Sequence, residues 1–428
     1  MLPAPLARLL ARFASDPDDE PLPQSGGNGT AVVLTGGGAR GAYQAGVLRG
    51  LARLSDAFRP NILTGVSAGA LNAAYLAGRA EQPFGEATAS LVEVWEALRT
   101  EHVFRLDRPG VMGSLTRFVR HSDISPPSEG GLLDTSPLSE FVREHLGPLG
   151  EPIDSIERAV EGGHLGAFAI TTTSYTTGQS ITWVQRGGAE DEQVESWDRP
   201  MRRAIRTHVR PEHVLGSSAL PFFFPAVRIA DGTPGGGWHG DGGIRLTAPL
   251  APALHLGADR VIAINTRHPS TWSEADTPDI PDYPPPGQIL GVLMNAVFLD
   301  VLDRDAQTQG RINALLEAIP PHERNGHRPV DLLVIRPSQD LAKLAAEYDP
   351  KLPPSMRLFT GGDTKPNWMS MVLFDEEYMQ RLLEIGEADA LARADEIRAF
   401  LGVEALPEGG ERAPGAGPPD REARERTG

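Results

Sequence analysis

The sequence predicts an α/β protein with a mostly parallel central sheet, followed by a mainly helical C-terminal extension. Three observations carry this. The apolar run Ala31-Val32-Val33-Leu34 stops at Thr35-Gly36-Gly37-Gly38, and helical periodicity follows over residues 42–54. The unit recurs when Asn61-Ile62-Leu63-Thr64-Gly65-Val66 turns at Ser67 into an Ala-rich helix reaching about residue 76. Far downstream, Val261-Ile262-Ala263-Ile264 is the unbroken apolar run of a strand buried on both faces. Short apolar strands alternating with helices imply crossover connections and hence parallel pairing.

Along the chain, residues 1–29 read as a tail and linker. Leu6, Leu9, Leu10 and Phe13 share a helical face opposite Arg8 and Arg12, and an acidic Pro/Gly/Ser stretch follows. The segment lacks the long apolar centre and A-x-A site of a secretory signal. It reads as a docking or frayed helix, with a short interfacial helix as the alternative. The α/β domain is expected over 30–270, with further strands at 165–172, 180–184 and 260–265. Leu133-Asp134-Thr135-Ser136-Pro137 reads as a helix entrance capped by Thr135 or Ser136.

The extension is expected over 271–406. It begins in a Pro-rich connector and continues in one long amphipathic helix over 289–319, with Met294, Phe298, Val301, Leu302, Ile312, Leu315 and Leu316 on its buried side. A strand at 330–336 and helices near 341–348 and 374–400 follow. Asp300, Asp303 and Asp305 fit a solvated helix face better than a metal site. Residues 407–428, rich in Gly, Pro, Glu and Arg, are expected to be a disordered tail.

Composition bounds the chemistry. The 428 residues carry a formal charge of −17, which offers no general attraction to phosphate backbones and makes nucleic acid an unlooked-for partner. With no cysteine, disulfides, thiolate nucleophiles and Cys-ligated metals are excluded. Mean hydropathy is −0.25, and no apolar run approaches the roughly 18 residues of a membrane span. A cytoplasmic protein, with reversible contact at the inner membrane surface, is the expectation.

Three glycine-framed motifs remain. In Gly36-Gly37-Gly38-Ala39-Arg40-Gly41, the missing Cβ atoms let backbone N–H groups converge on one small anion. A dinucleotide pyrophosphate, a nucleotide phosphate and the oxyanion of an acyl intermediate are physically equivalent candidates. Alone, the G-x-G-x-x-G spacing with Asp56 about twenty residues on favours a dinucleotide. Gly65-Val66-Ser67-Ala68-Gly69 sits at a strand-to-helix turn, where a nucleophilic serine needs glycine on either side because a side chain would strike the neighbouring backbone. Asp241-Gly242-Gly243, on its own, is a turn in a glycine-framed loop.

A serine nucleophile needs a base. By position, His255, His268, His322 and His327 could serve in the α/β-hydrolase order, but none stands in a distinctive loop, whereas Asp241 does. Taken together, TGGGARGAYQAGVLRGL (35–51), TGVSAGALNAAYLA (64–77), GSSALPFFFPAV (216–227) and DGGIRLTAPLAPALHLGADRVIAI (241–264) resemble the patatin-like phospholipases, lipid acyl hydrolases with a Ser-Asp dyad. SMVLFDEEYMQRLLEIGEADA (370–390) is similar to the extension of some bacterial members.

The resemblance implies a three-layer α/β/α fold. It also implies Ser67 as nucleophile, Asp241 as base, and the amides of Gly37 and Gly38 as the oxyanion hole, with Arg40 supporting the loop or the oxyanion. Gly36, Gly41, Gly65, Gly69, Gly242 and Gly243 would shape the three motifs. No metal or cofactor is required. The implied partner is a phospholipid or other acyl lipid, reached through a peripheral membrane contact that the acidic balance obliges to be apolar. The phenylalanines of Pro221-Phe222-Phe223-Phe224-Pro225 read as a buried loop near the site. The competing readings are a His-dependent esterase of the α/β-hydrolase kind and a non-catalytic binding protein of the same fold.

Overall fold

The computed structural model describes residues 29–105, 133–187, 197–230, 232, 234–276, 283, 286–324, 326–351 and 367–403. The N-terminal helix and the C-terminal tail expected from the sequence lie outside these.

Along the chain, β1 (Thr30–Leu34) leads through the glycine loop into α1 (Gly41–Leu54), and β2 (Ile62–Gly65) turns into α2 (Ala68–Ala77). There follow α3 (Phe84–Ala97), α4 (Ser136–Leu146), β3 (Ala167–Ser174), β4 (Ser180–Arg186), β5 (Arg202–Arg206), α5 (Pro211–Ser217), β6 (Val227–Ile229) and β7 (Gly237–Asp241). After these come α6 (Ala251–His255), β8 (Arg260–Ile264), α7 (Pro286–Phe298), α8 (Val301–Glu317), β9 (Asp331–Ile335), α9 (Leu341–Ala345), α10 (Glu376–Ala392) and α11 (Ala394–Leu401).

Among the described residues the strands form one mixed sheet in the order β5-β4-β3-β2-β1-β8-β9, with β7 also pairing β3, and β6 pairing β7. The pairs β1–β2, β1–β8, β2–β3, β4–β5 and β8–β9 are parallel. Side chains alternate across the central strands. Val32, Leu34, Leu63, Phe168, Ile170, Ile262 and Ile264 enter one core with α1, α2, α3 and α10. Ala31, Val33, Ile62, Ala167, Val261 and Ala263 enter a second core with Leu250, Ala253 and Leu302 from the helical side. Strands buried on both faces therefore account for the unbroken apolar runs, and the result is the expected three-layer α/β/α arrangement. The extension joins this architecture, because β9 pairs β8 over five residues and the line at residue 270 falls between two strands of one sheet.

The single helix expected over 289–319 is two, α7 and α8, broken at Leu299 and Asp300. Met294 and Phe298 belong to the first core and Leu302 to the second, on the opposite face of the sheet. One straight helix cannot serve both. Ile312 and Leu315, expected on the buried side, are exposed. The aspartates around the break are partly exposed and also fasten it: Asp303 accepts from Asn265 and pairs with Arg336, Asp305 accepts the Leu250 N–H, and Asp300 pairs with Arg267. The entrance to α4 is held by Asp134, which accepts from the Ser136 N–H and hydroxyl, and not by Thr135 or Ser136.

Candidate functional site

Ser67 stands between β2 and α2 with φ 57° and ψ −130°, one of two non-glycine residues with positive φ among those described. That conformation costs on the order of 1–3 kcal/mol and persists only where the surroundings enforce it. They do so here. The Ser67 N–H donates to Ser217 Oγ at 3.1 Å, whose hydroxyl donates to the Thr171 carbonyl, and the Ser218 hydroxyl donates to the Ser67 carbonyl at 3.1 Å. A Cβ at Gly65 would overlap the Gly69 carbonyl, and one at Gly69 would overlap the Leu34 carbonyl. The turn can therefore be this tight only with glycine at both places.

Asp241 reaches the serine through strand pairing. β3 carries β2 along residues 167–170, and on the same strand Thr172 pairs with Asp241. The end of β7 is thus brought beside the turn that follows β2. Asp241 is the last residue of a strand, not part of the glycine-framed loop expected from the sequence. Its side chain is fully buried, and Oδ1 accepts the Gly243 N–H at 2.8 Å. Burial pushes its pKa up to about 7, and the Ser67 hydroxyl and the Gly243 N–H hold it from rising further. Gly242 is pressed against the Thr171 carbonyl and Gly243 against the Phe298 ring, so both glycines of the motif lack room for a side chain.

In the first motif Gly36 lies against Ser67, so close that a Cβ there would stand 3.1 Å from the serine Cβ. Gly37 and Gly38 have φ 156° and 57°, and no hydrogen bond among the described residues uses their N–H groups. Gly38 packs on the Met371 carbonyl, and Gly41 on Trp95. The buried Arg40 guanidinium donates to Ser370 Oγ at 2.9 and 2.6 Å and to the Thr266 carbonyl at 3.3 Å, so the visible role of this cation is to brace the loop. A polar chain completes the support: Trp95 Nε1 donates to Asn72, Asn72 to Gln44 and the Gly41 carbonyl, and Gln44 to the Thr35 carbonyl.

Ser67 and Gly38 open onto a cavity of about 720 Å³, its mouth included. Apart from a few polar groups it is walled by aliphatic and aromatic side chains of α2, α3 and α4, among them Leu71, Leu91, Trp95, Leu138 and Phe141, with Phe224 and Phe374. Such a wall suits a hydrocarbon chain whose reactive end lies at the serine.

Residues 32–254, just over half of the chain, match the family described as patatin-like phospholipase. The chain belongs to the patatin-like phospholipase family. Similar solved structures include VipD from Legionella pneumophila, 14% identical over 84% of this chain and 67% of that one, with a TM-score of 0.30. Human GIVD cytosolic phospholipase A2 is 11% identical over 88% and 60%, with a TM-score of 0.42, so this chain spans about 60% of the human enzyme's length. The ExoU–SpcU complex of Pseudomonas aeruginosa gives 15% identity over 87% and 78%, with a TM-score of 0.26. No curated protein matches by sequence.

In this family member none of the four histidines weighed from the sequence lines the cavity that holds Ser67. His255 packs on Trp197, His268 bonds to the Pro337 carbonyl, His322 lies beside Glu323, and the His327 N–H donates to the Arg324 carbonyl. Nothing in the sequence marks the cavity wall. Leu91, Val94, Trp95 and Leu98, and Leu138, Phe141 and His145, follow helical spacing that ordinary core packing also produces. The phenylalanine cluster divides: Phe223 is buried, Phe224 lines the cavity and Phe222 is exposed.

Proposed function

We propose that the protein hydrolyses carboxylic esters of lipids through a Ser67–Asp241 dyad. The observation that carries the reading is a strained serine, beside a buried carboxylate with a pKa of about 7, on the floor of an apolar cavity. An ester would enter acyl end first, its chain among Leu91, Trp95, Leu138 and Phe141. Its carbonyl oxygen would meet the unused N–H groups of Gly37 and Gly38.

Ser67 Oγ attacks the carbonyl carbon while its proton passes to Asp241. Collapse of the tetrahedral intermediate expels the alcohol, which recovers that proton, and leaves an acyl-enzyme. Water then attacks the acyl carbonyl as Asp241 takes its proton, and the fatty acid leaves as Ser67 is reprotonated. An ordinary aspartate is too weak a base for a serine proton, and raising its pKa narrows the gap. The positive end of the α2 dipole favours negative charge at the serine.

A lipid substrate also needs a surface to dock from. α7 carries no charged residue and leaves Ile289, Val292 and Leu293 exposed, while its far end packs Phe298 on Gly243. Apolar contact through this face suits a protein of net charge −17 better than electrostatic attraction to anionic lipid. Among the described residues no helix is long and apolar enough to cross a membrane.

The test is a panel of phospholipids, lysophospholipids and glycerides with the wild type and Ser67→Ala side by side, together with a fluorophosphonate label mapped by mass spectrometry. Fatty acid release by the wild type alone and label on Ser67 are expected; label on another residue refutes the assignment.

A further inference from the structure

We propose that a second cleft, lined by Ser180, Trp197, Arg202, Arg203, Arg245 and His255, binds a phosphate group. It lies across the sheet from the apolar cavity. Ser180, Thr182 and Val184 alternate along β4 with Ile181 and Trp183, and the latter two belong to the core shared with α2, α3 and α4.

Two of the donors in this cleft are buried and unpaired among the described residues. Ser180 is 3% exposed and Trp197 8%, yet among the described residues neither the serine Oγ nor the indole Nε1 has a hydrogen-bond partner. Buried donors are nearly always paired, so two on one small cleft mark the place of something that accepts. Indole and guanidinium groups can only donate. Arg202 rises from β5 in register with Ser180, its neighbour Arg203 pairs with Asp198, and Arg245 comes from the end of the Gly242–Ile244 turn, which its own N–H closes on the Gly242 carbonyl at 3.2 Å. The donors outnumber the two oxygens of a carboxylate and suit the four of a phosphate, which arginine also matches in a bidentate fork.

The surrounding charge has the right sign. Arg199 is tied to Arg202 by reciprocal backbone hydrogen bonds. The carboxylates nearby are engaged: Asp198 accepts the Ala204 N–H and lies 3.6 Å from Arg203, and Asp305, near Arg202, accepts the Leu250 N–H. Burial together with Arg202 and Arg199 drives the His255 pKa down to about 4, as expected of an imidazole buried beside two cations. The phosphate could be free in solution or the monoester headgroup of a lipid.

Calorimetric titration of inorganic phosphate into the full chain, against acetate at equal ionic strength, tests the site without reference to ester hydrolysis. Saturable binding is expected for phosphate alone, at least tenfold weaker in R202Q/R245Q. Ser180→Ala removes an orphaned buried hydroxyl, so it should keep or raise Tm while weakening phosphate binding, which separates a lost ligand contact from a lost fold. Co-sedimentation with phosphatidylcholine vesicles, with and without phosphatidic acid, distinguishes the sources. A phosphatidic acid dependence abolished in R202Q/R245Q assigns the headgroup, and saturable phosphate binding without it assigns soluble phosphate. No saturable phosphate binding, equal binding of acetate, or unchanged binding in both variants overturns the proposal.

Discussion

Arg40 donates from two of its nitrogens to the hydroxyl of Ser370, tying the glycine loop after β1 to a segment 330 residues later. Beside this contact the Met371 carbonyl presses on Gly38, so the conformation of the loop depends on a part of the chain beyond the family-matched residues 32–254. The loop bearing the proposed oxyanion donors is thus clamped from outside the matched region.

Ser370→Ala should lower kcat by about tenfold and leave KM little changed. Hydrogen bonds to a charged group are worth about 1.5–3 kcal/mol, and slack in this loop would be felt where the oxyanion develops rather than where the acyl chain binds. Steady-state kinetics on a short-chain nitrophenyl ester separates the two constants. An effect on KM alone would mean that the brace shapes the cavity and not the loop.

The raised pKa of Asp241 fixes the direction of the pH profile. Only the ionised carboxylate can take the serine proton, so log kcat/KM should climb with unit slope below about pH 7 and level off above it. A profile flat from pH 5 to 8 would remove Asp241 from the role of base.

The same shift sets a stability trade. Asp241 binds its proton more tightly folded, with a pKa of about 7, than it would unfolded, near the ordinary value of 3.8. Between those values the folded state holds a proton that the unfolded state has released, so the contribution present below pH 4 is lost as pH rises through 7. The difference corresponds to on the order of 4 kcal/mol. Asp241→Asn keeps an acceptor for the Gly243 N–H without the charge. Activity should fall by about 10²–10⁴-fold while the variant becomes more stable than the wild type at pH 8 and gains nothing at pH 4. Thermal melts at the two pH values check this.

Much of the fold and of the site was legible because local chemistry forces it. A tight strand-to-helix turn demands Gly65 and Gly69, and strands covered on both faces demand runs such as Val261-Ile262-Ala263-Ile264. The proximity of Asp241 to Ser67 was legible only through family resemblance, since nothing local announces that β7 extends the line of β2 along β3. The break between α7 and α8 was hidden because apolar spacing does not say which of two cores it serves. The cavity wall was hidden because lining and core residues obey the same periodicity.

Cavity length should set acyl preference. Val94 and Leu138 line the cavity on α3 and α4, so enlarging either takes up space that an acyl chain would occupy. Val94→Phe and Leu138→Trp should shift the preferred nitrophenyl ester toward shorter chains. Activity on the shortest ester should be retained, because Ser67 and Asp241 are untouched. Equal loss on every chain length would mean that the substitutions disturb the fold, which a parallel melt would reveal.

The exposed face of α7 separates access from chemistry. Val292 and Leu293 stand 60% and 58% exposed on a helix without charges, so replacing either with glutamate leaves the core intact. Inserting a carboxylate into a lipid interface is strongly unfavourable, and on a chain already at −17 it adds repulsion from anionic surfaces. The double variant V292E/L293E should therefore release fatty acid from phospholipid vesicles at least about tenfold more slowly than the wild type. Hydrolysis of a soluble short-chain ester should be unchanged, since that substrate needs no surface. Loss on both substrates would instead place the effect at Phe298 and Gly243, where α7 meets the turn after Asp241. No loss on vesicles would move the membrane contact elsewhere on the molecule.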